Sequence, residues 1–500
     1  MGNFRLQIFT VFLLSLAARL VVFFYFVVPP GDSAEFGTFV REIAANGGFV
    51  PSTNTLYFPG SSYIYPPLLF LLTYWLGILV SPIVGTGGIL NLQIIFLIAV
   101  AFSSLTSSLI YWFLGPPRRK LDLLLRMILL SFFSADLFAL TWGGLPYIVS
   151  EFFFVLVLVS FMKRGSRSQW MWIAAASVAL IAFLHDLTYF VTVYVVLVFL
   201  VFDLVRKDYP AVKRTLIPVV IGGIAGVIWW LPRIQFIVSA LTTRVSSSSG
   251  PIVQGSSAFS SYSGLVLPLI VLVILIFLEL NGSRISGEKI KIDYIHVALI
   301  SSAVAVVFLF LNPAVTARYA LYSLDILMIG LLLGTQFILP QEGHNKHGRL
   351  AAVLLATVLV LVPVQFLAIE DSARFYTSSG YSYDSGIVSW AEKSHINGTV
   401  IAPYPMGDYL SSIDGVKVIP YDGYYYGVRE ISLMSGAAGV IMNSTSNQSL
   451  TFVKENGIDY IVVQNTLINS SISNHRITFP YPDYKLVISS DYYTVYLVTF

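Results

Sequence analysis

The sequence predicts a polytopic α-helical membrane protein of about eleven spans, completed by a C-terminal extracytoplasmic α/β domain. Three observations predict it. Of 500 residues, 56% are hydrophobic and 11% charged, with a mean hydropathy of +0.78, whereas a soluble chain carries roughly a quarter charged residues. Apolar runs of about 20 residues recur as far as Ala368, and short basic loops separate them in pairs. Beyond Ala368 the composition turns polar, and short β-rich runs alternate with helix-like ones. The expected division is 1–369 in the membrane, with a first outer loop over 29–65, and 370–500 outside it.

The first apolar run, Phe4 to Val28, exceeds the 7–15 residues of a signal-peptide core and ends in Pro-Pro without a small-residue cleavage site. A retained span is expected. The polar, turn-rich stretch Pro29–Pro67 follows it. Here Asp32 and Glu35 stand three apart past a Pro-Pro-Gly turn, and a helix continuing through Phe39 and Ile43 puts both carboxylates on one face near its N-terminus. D-x-x-E is also close to a capping box. Capping and catalysis are compatible, and the position, beside the membrane and ahead of a Tyr65-Pro66-Pro67 turn, argues for function. Pro66 to about Val80 is short for a span and is expected to lie along or dip into the outer face.

Ten further spans are expected near 90–114, 121–141, 145–162, 169–185, 187–205, 214–232, 264–281, 294–311, 319–340 and 349–368. The basic loops 116–120, 163–167, 206–214, 284–291 and 341–349 fall between them in pairs, which puts the N-terminus in the cytoplasm of a cell-membrane protein and residues 370–500 outside. One outer face then gathers the Asp32/Glu35 loop, Asp136–Tyr147, His185-Asp186, Arg233–Ser263 and Asn312–Arg318. Ionisable groups at membrane depth cost roughly 2.5–3.5 kcal/mol, so those at helix ends are functional candidates.

His185-Asp186 sits where one span ends and the next begins; it reads as an interfacial His with a helix-capping Asp, or as a ligand for a phosphate or an acceptor hydroxyl. Asp136 is an isolated acid at a helix end. Arg318 can snorkel to the interface. Its guanidinium is also well shaped for a phosphate, and Arg233 is a second candidate for that role. Asp325, in the span that Arg318 opens, calls for a partner.

In 370–500, strands are expected at 399–402, 416–419, 460–463, 486–488 and 494–498, and helices at 384–394, 429–441 and 449–456. The sequons at Asn397, Asn443, Asn447 and Asn469 agree with an outer location. A net charge of +3 without a basic run gives nucleic-acid binding nothing to rest on. The absence of cysteine removes disulfides and thiolate chemistry, and the six histidines show no HExxH spacing.

The first helix, the acid pair Asp32/Glu35 in the first outer loop and the aromatic-Pro-Pro turn at Tyr65 together resemble the GT-C superfamily of membrane glycosyltransferases. The outer segment, with Trp390, Gly398–Ala402, Gly407-Asp408-Tyr409-Leu410 and Gly457–Val463, is similar to extracytoplasmic domains of archaeal members. The WWDYG signature of oligosaccharyltransferases is absent, with Pro403–Tyr409 in its place, and Tyr-Pro-Pro replaces the His-Pro-Pro of O-mannosyltransferases.

The resemblance implies transfer of a sugar from a polyprenyl-phosphate donor to a lipid, glycan or protein acceptor on the outer face, with inversion at the anomeric carbon. It places Asp32 as general base with Glu35 orienting it or binding the acceptor. Arg318, His185 and Arg233 are placed at the lipid phosphate, and Asp136, Asp186, Tyr63 and Tyr65 as substrate-binding. No cofactor is required, although Asp32 and Glu35 would suit Mg²⁺ or Mn²⁺. The rival readings are a transporter or lipid flippase and a catalytically silent scaffold of the same ancestry.

Overall fold

The structure is a computed structural model that describes residues 2–25, 33–84, 88–117, 120–132, 135–142, 144–163, 168–234, 384–422, 428–467 and 479–500, single positions 405, 466 and 481 aside, together with the single positions 297 and 370. Asp32, Arg318, Asp325, Asn469 and the spans expected over 264–368 lie outside the described residues. The chain divides into two compact units.

The first unit is helical. It holds α1 (Gly2–Tyr25), the later part of α4 (Gly88–Leu114), α5 (Lys120–Phe132), α6 (Ala135–Trp142), α7 (Leu145–Lys163), α8 (Gln169–Ala182), α9 (Asp186–Val205) and α10 (Tyr209–Trp230). Among the described residues five helices are long and apolar enough to cross a membrane: Phe4–Phe24, Leu90–Leu114, Leu145–Lys163, Asp186–Val205 and Tyr209–Arg233. Residues 120–132 and 135–142 of the span expected over 121–141 are helical, as α5 and α6. One expectation differs. The helix expected over 169–185 ends at Ala182, so α8 has 14 residues, about 21 Å at 1.5 Å per residue.

Contacts fix the helix directions in this unit. Phe4 stacks on Tyr111 at 5.8 Å and the Tyr111 hydroxyl donates to Gln7, so the start of α1 meets the end of α4. Lys163 at the end of α7 lies 3.9 Å from the Trp112 ring centroid, and Trp112 meets Trp170 at the start of α8. α8 and α10 run parallel, since Val178 faces Gly222 and Phe183 faces Trp229. Thr215 donates to Asp203 at 2.8 Å, joining the start of α10 to the end of α9. Arg5, Lys163, Arg206, Lys207, Lys213 and Arg214 thus belong to helix ends that share one face of the unit.

The second unit combines a first-loop helix, α2 (Ser33–Ala45), α3 (Leu68–Val84) and the start of α4 with a sheet domain. That domain runs α11 (Ser385–Lys393), β1 (Gly398–Ala402), α12 (Met406–Ser411), β2 (Val416–Pro420), α13 (Val428–Met442), α14 (Asn447–Glu455), β3 (Ile458–Gln464), β4 (Tyr484–Ser489) and β5 (Tyr493–Val498). The strands lie in the order β2-β1-β3-β5-β4. β1 pairs in parallel with β2 and β3, while β5 is antiparallel to β3 and β4. All five expected strands form; the short helix α12 was not expected.

One core cluster spans both parts of the unit, with Ala34, Tyr57, Phe58 and Leu92 packed among Val400, Met406, Leu410, Val416 and Val418. The first-loop segment also pairs with the sheet edge. Val418 N–H donates to Leu56 O at 2.7 Å and Phe58 N–H to Val418 O at 3.0 Å, so residues 56–58 cover the open side of β2.

Candidate active site

Helix α2, described from Ser33, carries Glu35 and continues through Phe39 and Ile43. Its later turns are gripped from the sheet domain. The Thr38 and Ser411 hydroxyls hydrogen-bond, and the Arg41 guanidinium lies 3.8 Å from Asp414. Burial lowers the Arg41 pKa, opposed by the Asp414 and Glu42 charges.

Glu42, fully buried, accepts from Thr55 N–H at 2.8 and 2.9 Å, the Thr55 hydroxyl at 2.8 Å, Leu56 N–H at 2.6 Å and Tyr57 N–H at 3.1 Å. This fixes Tyr57, which is buried in one core cluster with Met406, Tyr409 and Leu410 of α12. Burial first, then the Asp408 and Glu35 carboxylates, pushes the Tyr57 phenol well above its ordinary range. Asp422, just past β2, acts on the same phenol and accepts from Tyr404 N–H at 2.7 Å. Burial raises its carboxyl to about 7, with the Tyr404 hydrogen bond opposing.

Carboxylates from α2, α12 and the turn after β2 therefore all act on one tyrosine. Asp408 and Asp422 follow the carboxyl ends of the parallel strands β1 and β2, where open α/β sheets hold their ligands. Such a group can take a proton from an acceptor and hydrogen-bond sugar hydroxyls. Sequence reasoning placed Glu35 but missed Glu42, Tyr57, Asp408 and Asp422. The available signal was Asp408 in the Gly407-Asp408-Tyr409-Leu410 stretch that carries the resemblance.

The other residues singled out in this unit pack together. Tyr63 is buried; its ring meets Phe39 at 5.4 Å and its carbonyl accepts from Arg233 Nε at 3.2 Å. Burial, then the Glu42 charge, pushes the Tyr63 phenol up, while Arg233 pulls it down. Tyr65 sits among Phe36, Phe39 and Phe70 at 5.3–5.5 Å. Tyr63 and Tyr65 thereby join α2 to the entrance of α3, and the structure brings Arg233 to that cluster.

In the helical unit, His185 is the N-cap of α9. Its Nδ1 accepts from Thr188 N–H and lies 2.8 Å from the Thr188 hydroxyl, while Nε2 is 3.6 Å from Asp186. The cap is thus His185, not Asp186, which occupies the first turn half-exposed. Asp136 is buried against Arg19 at 3.7 Å and accepts from the Ser103 hydroxyl. Arg19 also donates to Ser103 and to the carbonyls of Ser15 and Ser131, both at 3.1 Å. The sequence carried a signal for this pair: a cation deep in the first span, as Arg19 is, needs an anion at similar depth.

No group of three or more His, Asp and Glu side chains is placed to hold a metal ion among the described residues. No protein-family model and no curated protein matches the sequence. Solved structures do match. The oligosaccharyltransferase of Archaeoglobus fulgidus, in complex with Zn and sulfate, superposes with a TM-score of 0.59 at 14% identity over 93% of this chain and 68% of its own. The same organism's AglB, in complex with an inhibitory peptide and a dolichol-phosphate, gives 0.56 at 12% identity, over 93% and 69%. ArnT from Cupriavidus metallidurans, bound to undecaprenyl phosphate, gives 0.52 at 13% identity and covers 97% of both chains. The chain thus shares the fold of these oligosaccharyltransferase and ArnT structures.

Proposed function

We propose that this protein is an inverting glycosyltransferase that moves a sugar from a polyprenyl-phosphate donor to an acceptor on the outer face of the membrane. One observation carries the reading. Helix α2, which opens directly after Asp32, is locked to the carboxyl end of the sheet so that Glu35 shares its surroundings with Asp408, Asp422 and Tyr57. Two structures of the same fold hold a polyprenyl phosphate, which supports that class of donor.

In the proposed reaction the acceptor heteroatom attacks the anomeric carbon, the bond from that carbon to the phosphate oxygen breaks, and the polyprenyl phosphate leaves. Asp32 takes the acceptor proton and Glu35 orients it or holds the acceptor. Arg318, with His185 and Arg233 as further candidates, stabilises the departing phosphate. Asp186 is the proposed substrate-binding acid, while Asp136 holds Arg19 within the helical unit and Tyr63 and Tyr65 join α2 to α3 within the other. The oxygen donors Asp32 and Glu35 fit a hard divalent cation such as Mg²⁺ or Mn²⁺, which would neutralise phosphate charge when bound.

The proposed topology has about eleven spans, the N-terminus inside, 1–369 in the membrane and 370–500 outside. The shared face of basic helix ends supports it. Replacing Asp32 by Asn tests the function in proteoliposomes supplied with polyprenyl-phosphate mannose, glucose and aminoarabinose and a membrane extract as acceptor source. Glycosidic product is expected to fall about 10²–10⁴-fold, the usual weight of a general base, with donor binding retained. Flux of the lipid without product, unaffected by the substitution, would instead establish a transporter.

A further inference from the structure

The acidic site depends on a residue outside it. Glu42 lies two turns beyond Glu35 on α2 and turns inward to the loop that returns beneath the helix. Its carboxylate collects three consecutive backbone N–H groups, those of Thr55, Leu56 and Tyr57, together with the Thr55 hydroxyl. Successive N–H groups turned to one anion form a concave nest, and charged acceptors make the stronger hydrogen bonds. The same segment pairs on its other side with Val418 of β2, through Leu56 O and Phe58 N–H. Held along both edges, the segment cannot rotate about its own axis. That rotation sets where the Tyr57 ring points; it packs with Met406, Tyr409 and Leu410 of α12, in the field of Asp408, Glu35 and Asp422.

We propose that Glu42 is a positioning residue for the acidic site: by pinning residues 55–57 against β2 it holds the Tyr57 ring against α12, the helix that carries Asp408. The proposal rests on the transferase reading. The β2 pairing alone fixes the segment's height on the sheet. Only the second set of bonds fixes its twist, and a misplacement of about 1 Å far from the chemistry can cost as much as 10²-fold in rate.

The test uses the full chain in proteoliposomes with polyprenyl-phosphate mannose and glucose as probes and membrane extract as acceptor source, reading release of polyprenyl phosphate. Glu42→Gln and Tyr57→Phe are each expected to lower kcat about tenfold with the donor KM unchanged, and the double variant to be no slower than either single. Hydrogen exchange is expected to rise at amides 55–57 in Glu42→Gln while strands β1 and β3 keep wild-type protection. Losses that multiply in the double variant, or unchanged exchange at 55–57, overturn the proposal and leave the transferase reading standing. A wild type that releases no phosphate from either donor overturns that reading and the proposal with it. If Glu42→Gln also loosens β1 and β3, Thr55→Val, which removes one of the four donors, carries the same cycle with Tyr57→Phe.

Discussion

Asp422 shows how burial sets the chemistry of one carboxyl in the candidate site. Its oxygen accepts the Tyr404 N–H, yet burial wins and moves the group from 3.8 to about 7. The folded chain therefore holds a proton between about pH 4 and 7 that the unfolded chain has released. Stability falls as pH rises through that window and levels off above it. Asp422→Asn keeps an oxygen for Tyr404 and has no charge to bury. It is expected to be more stable than wild type at pH 8 by at most about 4 kcal/mol, at roughly 1.4 kcal/mol per pKa unit, and little changed at pH 4. Unfolding of both proteins at pH 4, 6 and 8 checks this; an offset that does not vary with pH refutes it. In the sequence Asp422 was only part of a tyrosine-rich run, 421–426, because the burial that raises its pKa comes from the folded site around it.

Between elements, the Arg19–Asp136 pair ties α1 to α6, with Ser103 of α4 between them. Removing Arg19 alone leaves Asp136 buried without its counter-charge, so Arg19→Leu should destabilise the detergent-solubilised protein by about 3–5 kcal/mol. The double variant Arg19→Leu with Asp136→Leu should recover most of that loss, since apolar replacement of both partners is often neutral. Urea-induced unfolding followed by tryptophan fluorescence measures both; a double variant as unstable as the single would show that the pair is not the cause. The C-terminal strands were legible because each is a short apolar run closed by polar or turn residues, with Ile401, Val418 and Ile461 facing the core. Helix α12 escaped notice because Met406–Ser411 has six residues, too few for a helical period to show.

For the whole molecule, the order of parts was readable: apolar helices first, an acidic loop after the first helix, and an α/β segment last. What the sequence did not show is that the acidic loop and the C-terminal sheet form one compact unit, since their contacts, such as Thr38 with Ser411, join residues 373 positions apart. Periodicity reports only local patterns. Orientation can be tested cleanly because the chain contains no cysteine, so each introduced thiol is the only one present. Lys207 is an exposed position on the face of basic helix ends, and Asn443 is exposed in the turn after α13. Basic loops are retained in the cytoplasm because moving Lys and Arg across the bilayer is unfavourable, so the two positions should lie on opposite sides. In intact cells a membrane-impermeant maleimide is expected to label Asn443→Cys at once, and Lys207→Cys only after permeabilisation. The reverse order would place the sheet domain, and Glu35 with it, in the cytoplasm, where the proposed outward-facing acceptor could not reach the site.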